Sequence, residues 1–244
     1  MNSKTELYQG DCLEIMKQIP DKSIDMILCD LPYGTTACSW DVIIPFDKLW
    51  GQYNRIIKDN GAIALFGVEP FSSSLRLSNS KMYRYDWIWQ KSKAQGFLNC
   101  NRRPLINYEN IMIFYKKQCT YNPQNLVKGE FNNFRPAKLR DEKSKIYGKE
   151  AAFGASKFSN YPKTIIKFNS VSKHLHPTQK PTELLEYLIK TYTLENDMVL
   201  DNCMGSGSTG VAAINTKRRF IGIELDKEYF NVAKKRIEKS DNML

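Results

Sequence analysis

The sequence predicts an α/β fold in which helices cover both faces of a doubly wound, mostly parallel sheet of about seven strands. Short apolar runs alternate along the chain with segments whose apolar residues recur at helical spacing. A glycine-rich loop, GSGSTG at 205–210, follows one apolar run and precedes a predicted helix. The chain has 244 residues, 42% of them hydrophobic, which suits one large domain or one domain with an insertion.

The individual elements follow from this alternation. Extended apolar runs predict strands at 5–9, 23–30, 62–67, 83–90, 108–116, 164–168, 198–201 and 219–225. Helical spacing predicts helices at 11–19, 45–61, 70–79, 181–193, 207–216 and 226–239. Within this set, Gly61 is expected to end the second helix, Pro181 to lie in the first turn of the fourth, and Asp226 to cap the last.

The segment from about 117 to 162 is polar, rich in Asn and Lys, and lacks a long periodic run. A loop of that length is unusual in a compact domain, so we expect an inserted lobe. The predicted organisation is a first half at 1–116, the lobe at 117–162, and a second half of the same domain at 163–244.

The positive charge of the chain is concentrated in this central region. Residues 91–170 contain 16 Lys and Arg against 5 Asp and Glu, whereas the whole chain has a net charge of +10. A solvated Lys-rich surface would explain this charge. Because aromatic, Asn and Gln residues are interleaved with the basic ones, we favour a surface that binds nucleic acid.

Other classes of protein fit the sequence less well. No stretch approaches 18 uninterrupted apolar residues, and the first residues lack the apolar core of a signal sequence, so a soluble cytoplasmic protein is expected. The six cysteines form no CxxC pair and the chain has two histidines, so no metal site is expected.

The glycine loop has the GxGxxG pattern of dinucleotide-binding folds, with an acidic residue, Glu224, at the expected distance. Such loops usually open a Rossmann domain, yet here the loop lies close to the end of the chain. The remaining strands must therefore precede it, which predicts a Rossmann-like sheet with a permuted chain order. A nicotinamide-dependent oxidoreductase would explain the loop alone.

A second motif, LCDLPYG at 28–34, resembles the Asp-Pro-Pro-Tyr motif of the amino-group DNA methyltransferases. HPTQKP at 176–181 and YQGDCLEIM at 8–16 resemble two further segments of that family. The order of the motifs is like that of the β class, with the catalytic half (1–116) first and the cofactor half (163–244) last. The resemblance implies that the inserted lobe at 117–162 recognises the DNA target. The sequence departs from the family at Leu31, where proline is commoner, and at 202–203, where Pro-Phe is usual.

The resemblance implies a site-specific enzyme that moves the methyl group of S-adenosylmethionine to an amine of a base flipped out of double-stranded DNA. Asp30 and the Leu31 carbonyl would accept the two amine hydrogens, Pro32 would fix the turn, and Tyr33 would stack on the base. In isolation, DLPYG could also be a polar turn after a strand.

The resemblance also implies the cofactor site. Glu224 would bind the ribose hydroxyls, Asp201 the methionine amine and Asp11 the adenine amine, although Asp11 could instead cap a helix. Lys180 and Thr178 would lie near the methionine carboxylate. The full predicted set is Asp11, Cys12, Asp30, Thr178, Lys180, Asp201, Asn202, Cys203, Met204, Gly205, Ser206, Gly207 and Glu224.

The nature of the substrate is less closely constrained. In the family, Asp at position 30 goes mostly with adenine N6, and N4 of cytosine is the alternative. A catalytically silent DNA-binding protein would explain the basic region alone. The sequence leaves open a monomer or a homodimer, and the presence or absence of a cognate restriction endonuclease in the same host.

Overall fold

A computed structural model describes residues 5–34, 41–129, 158–171 and 179–242. The chain divides into two compact units, Met1–Asn122 with Thr164–Leu244, and Pro123–Lys163. The strands are β1 (Thr5–Gln9), β2 (Ile24–Cys29), β3 (Ile57–Gly67), β4 (Tyr83–Gln95), β5 (Ile106–Phe114), β6 (Val127–Lys128), β7 (Phe158–Ser159), β8 (Ile165–Phe168), β9 (Met198–Asp201) and β10 (Arg219–Glu224). The helices are α1 (Cys12–Met16), α2 (Phe46–Ile56), α3 (Phe71–Ser78), α4 (Thr182–Tyr192), α5 (Ser208–Asn215) and α6 (Lys227–Asp241).

The larger unit is built on an eight-stranded sheet with the order β1-β10-β9-β2-β3-β5-β4-β8. All neighbouring strands run parallel except β5, which is antiparallel to both β3 and β4. The predicted fold class is thus confirmed, with one strand more than the approximate number expected. The permuted order is visible in the position of β9 and β10, which come last in the sequence but lie between β1 and β2.

Each face of the sheet packs against three helices. Side chains alternate along β3, so that Ala64 and Phe66 join a core cluster containing residues of α4, α5 and α6. Ile63 and Leu65 point to the opposite face, where they join residues of α1, α2 and α3. Burial on both faces explains why the central strands are continuous apolar runs in the sequence.

The predicted helix at 45–61 is wrong over its last five residues. Helix α2 ends at Ile56, and Ile57 begins β3 with an extended backbone, in register with Ile24 of β2. Gly61 lies within β3 and does not end the helix. A Cβ atom at this position would lie 2.8 Å from the Asp25 carbonyl oxygen, so the close packing of the backbone here requires glycine. Pro181 caps α4 from the position before its first residue.

The smaller unit contains β6 and β7, which pair antiparallel with Val127 opposite Ser159. The interior of the predicted lobe, residues 130–157, lies outside the described part of the chain. The role of this lobe in target recognition, and the division into two halves at its borders, therefore stay predictions. Among the residues described, no helix is both long enough and apolar enough to cross a membrane.

Candidate active site

A cavity of about 370 Å³ lies at the carboxyl edge of the sheet, where β10, β9 and β2 are neighbours. Asp30 follows the last residue of β2, Asp201 ends β9 and Glu224 ends β10. All three acids line the cavity. Because parallel strands end at the same edge of a sheet, two motifs that are far apart in the sequence meet here.

The structure brings most of the predicted site residues together around this cavity. Those that line it are Asp11, Cys12, Asp30, Leu31, Pro32, Tyr33, Lys180, Asp201, Asn202, Cys203, Met204, Gly205, Ser206 and Glu224. Gly207 is not among the lining residues. Thr178 lies outside the described residues.

Asp30 is held at the cavity wall by two side chains. One carboxylate oxygen forms an ion pair with the Lys180 ammonium, and the Tyr33 hydroxyl donates to the other. Lys180 also lies 3.1 Å from Oε1 of Glu109, and the Tyr33 hydroxyl is 3.0 Å from the same oxygen. Lys180 therefore lies between two carboxylates, one of which faces the cavity.

Sequence analysis missed Glu109 and Lys91, which complete this cluster. Glu109 is in β5 opposite Trp89 of β4, and its side chain is 4% exposed. Its Oε2 atom lies 2.7 Å from Nζ of Lys91, whose side chain is 9% exposed. The only signal in the sequence is a single acid in a predicted strand, YENIMIF, that ends in four apolar residues, since buried acids are rare unless paired.

Burial and the neighbouring charges shift the pKa values of Asp30, Glu109 and Lys180. Burial raises the pKa of Asp30, and the charge of Glu109 raises it further, against the opposing effect of Lys180. Burial also acts to raise the pKa of Glu109, but Lys180 and Lys91 outweigh it and the pKa lies below its usual range. Desolvation opposes the charged form of Lys180, yet the two carboxylates leave its pKa above the ordinary value. The two lysines therefore favour the ionised form of Glu109, whereas burial makes Asp30 easier to protonate.

Tyr33 contributes its ring as well as its hydroxyl. The ring packs against Phe71 of α3, with the centroids 4.8 Å apart and an angle of 35° between the planes. Leu31, by contrast, points its side chain into the core and is 4% exposed. That orientation is compatible with the predicted role of its backbone carbonyl.

The glycine loop turns sharply between β9 and α5. Gly205 has a φ of 51°, a conformation that favours glycine, and its N–H donates to Oε2 of Glu224 at 2.8 Å. Oε1 of Glu224 accepts from the N–H of Asp226 at 2.8 Å. Arg236 of α6, which sequence analysis missed, binds the Ser206 carbonyl and its hydroxyl oxygen. The loop is thus fixed from two sides.

Gly207 serves the packing of two helices. Its φ is 78°, and a Cβ atom there would lie 2.9 Å from Cβ of Ala233 in α6. Glycine therefore allows α5 to start directly against α6. The predicted contact between Gly207 and a cofactor does not follow from this position.

Asp201 is a buried carboxyl group, 3% exposed, whose oxygen accepts from the Cys203 N–H at 3.1 Å. Burial raises its pKa to about 6, partly offset by hydrogen bonds that include the Thr209 hydroxyl. No Lys or Arg of the described ranges forms an ion pair with it. Because a buried carboxylate without an ion pair is unfavourable, a cationic group of a ligand bound beside Asp201 would be stabilised in the cavity.

The N-terminal motif also contributes residues to the cavity lining, among them Asp11 and Cys12. Asp11 caps α1, and its carboxylate accepts from the Leu13 N–H at 2.7 Å. The capping role considered for Asp11 is therefore real, and the same residue also lines the cavity. Within the described ranges, no three His, Cys, Asp or Glu side chains are arranged to hold a metal ion.

Comparison with known proteins is consistent with this geometry. A family model of DNA methylases, N6_N4_Mtase, matches residues 24–235. Type II methyltransferase M2.LlaDCHI of Lactococcus lactis subsp. cremoris is 28% identical over 96% of this chain and 89% of its own length. DNA adenine methyltransferase YhdJ of Escherichia coli (strain K12) is 26% identical over 97% of this chain and 84% of its own. The crystal structure of an M1.HpyAVI–SAM complex has a TM-score of 0.66 at 27% identity, covering 95% of this chain and 99% of that one.

Proposed function

This chain belongs to the N6_N4_Mtase family of DNA methylases, and from that premise we propose that it methylates the exocyclic N6 of adenine in a base flipped out of double-stranded DNA. The resemblance seen in the sequence to amino-group DNA methyltransferases is confirmed by the family match. One observation carries the assignment of the site: Asp30–Tyr33 and Asp201–Ser206 line the same cavity.

S-adenosylmethionine is the methyl donor, and when bound it supplies an activated methyl group on a sulfonium. The cavity fits such a ligand for two reasons. The buried carboxyl group of Asp201 would pair with a positively charged group of the ligand, and the Glu224 carboxylate offers hydrogen-bond acceptors for its hydroxyl groups. Both Glu224 oxygens accept backbone N–H groups and each retains a lone pair for a ribose hydroxyl. Asp11 also lines the cavity and would bind the adenine amine.

On the catalytic side, the chain acts by positioning and electrostatics. The exocyclic amine of a base is a poor nucleophile because its lone pair is delocalised into the ring. Asp30 and the Leu31 carbonyl would accept the two amine hydrogens and so direct the lone pair at the methyl group. Tyr33 would stack on the base, a contact worth about 1–3 kcal/mol.

We assign Glu109 a positioning role behind Asp30. Its carboxylate is within hydrogen-bond distance of Tyr33 and Lys180, the two groups that hold Asp30. Asp30 accepts its amine hydrogen most strongly when it is ionised, yet burial favours its protonated form. Lys180 opposes that effect, and Glu109 keeps Lys180 charged and in place.

Adenine is favoured over cytosine by two observations. An Asp at position 30 goes mostly with adenine N6 in the family, and one of the similar proteins is an adenine methyltransferase. Methylation of cytosine N4 is the alternative, since it needs the same geometry around an amine.

The decisive experiment incubates the protein with labelled S-adenosylmethionine and unmethylated plasmid DNA, followed by digestion and mass spectrometry of the nucleosides. N6-methyldeoxyadenosine is expected, and N4-methyldeoxycytidine would move the assignment to the alternative. Asp30→Ala should abolish transfer while S-adenosylmethionine still raises the melting temperature, because ligand binding stabilises by mass action. Glu195→Gln, a surface acid with a side chain 61% exposed, is the matched control and should leave transfer unchanged.

The same melting experiment tests the oxidoreductase alternative, for which NADH and not S-adenosylmethionine would stabilise the protein. A DNA substrate also supports the expected cytoplasmic location.

The proposal also includes two partners of this chain, a second copy in a homodimer and a cognate restriction endonuclease in the same host. Sedimentation equilibrium with and without DNA tests the homodimer.

A further inference from the structure

The loop between β4 and β5 carries an exposed apolar pair that the proposed mechanism does not use. Phe97 is 77% exposed and Leu98 is 98% exposed, although both belong to an ordered turn. The turn begins at Gly96, which has a φ of 87°, and is closed by backbone hydrogen bonds from Asn99 and Cys100. The two exposed side chains are therefore carried by a turn that backbone hydrogen bonds close.

Basic residues surround this pair. Lys93, Arg102 and Arg103 are exposed, and no acidic residue occurs between Gln90 and Tyr108. Apolar side chains exposed within a basic surface are typical of proteins that insert a wedge between bases while cations bind the phosphates. This charge complementarity favours DNA as the occupant over a second copy of this basic chain.

The sheet determines where the turn projects. Strand β4 runs parallel to β2, because β5 is antiparallel to both β3 and β4. Cys29, the last residue of β2, is level with Asp86 of β4 through the paired residues of β3 and β5. Gln95, the end of β4, pairs with Ile106 of β5, which is six residues beyond Met112, the partner of Asp86, and six residues correspond to about 20 Å of strand. The turn therefore extends well beyond the edge at which the cavity opens, on the side where a duplex must lie.

We propose that Phe97 and Leu98 form a wedge that enters the base stack of the DNA substrate and fills the space left by the flipped base, with Arg102 and Arg103 binding the flanking phosphates. This inference rests on the proposed function. Flipping costs a few kcal/mol of stacking and pairing, and an apolar side chain that replaces the base in the stack recovers part of that cost.

The test uses a Phe97→Ala, Leu98→Ala double variant and a duplex containing the sequence that the wild-type protein methylates in plasmid DNA. With 2-aminopurine at the target position, the variant should show a smaller fluorescence increase on binding, and its kcat/KM on duplex should fall by about tenfold. On a single-stranded oligonucleotide of the same sequence, its kcat/KM should stay within about twofold of wild type, because no base has to be extracted from a stack. Leu77→Ala, at a residue of α3 that is 79% exposed, is the matched control and should change neither value.

A second variant, Arg102→Ala with Arg103→Ala, should weaken duplex binding and reduce the slope of log K against log salt by about one to two. The wedge is overturned if the Phe97, Leu98 variant methylates duplex as well as wild type, or if it loses activity equally on duplex and single strands. It is also overturned if the variant turns a dimer into a monomer while flipping is unchanged, since the pair would then be a dimer contact. A wild-type protein that methylates neither substrate would overturn the proposed function itself.

Discussion

Replacing Glu109 by Gln tests the buried charge cluster most directly. The substitution keeps the shape of the side chain but removes the charge that faces Lys91 at 2.7 Å and Lys180 at 3.1 Å. Asp30, Glu109, Lys91 and Lys180 together are neutral, so the variant has one excess buried positive charge. Breaking a buried pair in this way costs about 3–5 kcal/mol.

For a domain of this size, each kcal/mol lowers the melting temperature by about 2–4 °C, so Glu109→Gln should melt roughly 10 °C below wild type. Calorimetry or denaturant titration measures the difference. Glu238→Gln is the control, because its pair with Lys234 is exposed and spans 3.9 Å, and its loss should cost about 1 kcal/mol or less. Adding Lys91→Met to Glu109→Gln removes the unpaired lysine and should restore part of the lost stability.

The same variant has a defined effect on the pH dependence of activity. Glu109 raises the pKa of Asp30, so its removal lowers that pKa. Because Asp30 acts in its ionised form, activity is lost as the pH falls through its pKa, and the acidic limb of kcat/KM should move to lower pH. An unmoved limb, or one that moves to higher pH, would refute the coupling. A double variant no more stable than Glu109→Gln would refute the electrostatic origin of the instability.

The remaining predictions concern three residues of the cavity and its support, Tyr33, Asp201 and Gly207. Tyr33→Ala should reduce methyl transfer severely and Tyr33→Phe less so, because stacking on the base needs the ring while the hydroxyl only anchors Asp30. Equal losses in the two variants would show that stacking is not the main contribution of Tyr33. Burial raises the pKa of Asp201 to about 6, so its ionised form is present above that pH and lost below it. The affinity for S-adenosylmethionine, measured by calorimetry, should therefore weaken as the pH falls through about 6. The Asp201→Asn variant should lack this pH dependence. Because the folded-state pKa is raised, ionisation of Asp201 in the absence of ligand should cost stability as the pH rises from about 4 to 6, by about 3 kcal/mol at most. Gly207→Ala should destabilise the fold by about 2–3 kcal/mol, because the φ of Gly207 is 78° and an added Cβ atom would lie 2.9 Å from Ala233. Gly51→Ala in α2 is the control, since a Cβ atom there meets nothing within 4 Å and the change should be neutral or stabilising. Equal melting temperatures of the two variants would contradict this packing argument.

Periodicity was sufficient to predict most elements because their burial is regular. The central strands are apolar on both faces, and the surface helices show one apolar stripe, so each type has its own spacing. The boundary between α2 and β3 was mispredicted because Ile56 and Ile57 are both apolar and both buried. Pairing of Ile57 with Ile24, a contact distant in sequence, decides where the helix ends.

The sequence by itself determined the sheet-based fold, the permuted order of its halves, and the loops that bear Asp30, Asp201 and Glu224. These depend on local patterns, namely apolar runs followed by turn-forming and acidic residues. Only the tertiary structure decided that Glu109 and Lys91 lie in one buried charge cluster with Lys180 and Asp30, that Arg236 binds the glycine loop, and that Gly207 packs against α6. The physical reason is that a buried charge is tolerated only beside its partner, and strand register brings those partners together from distant positions that no local spacing records.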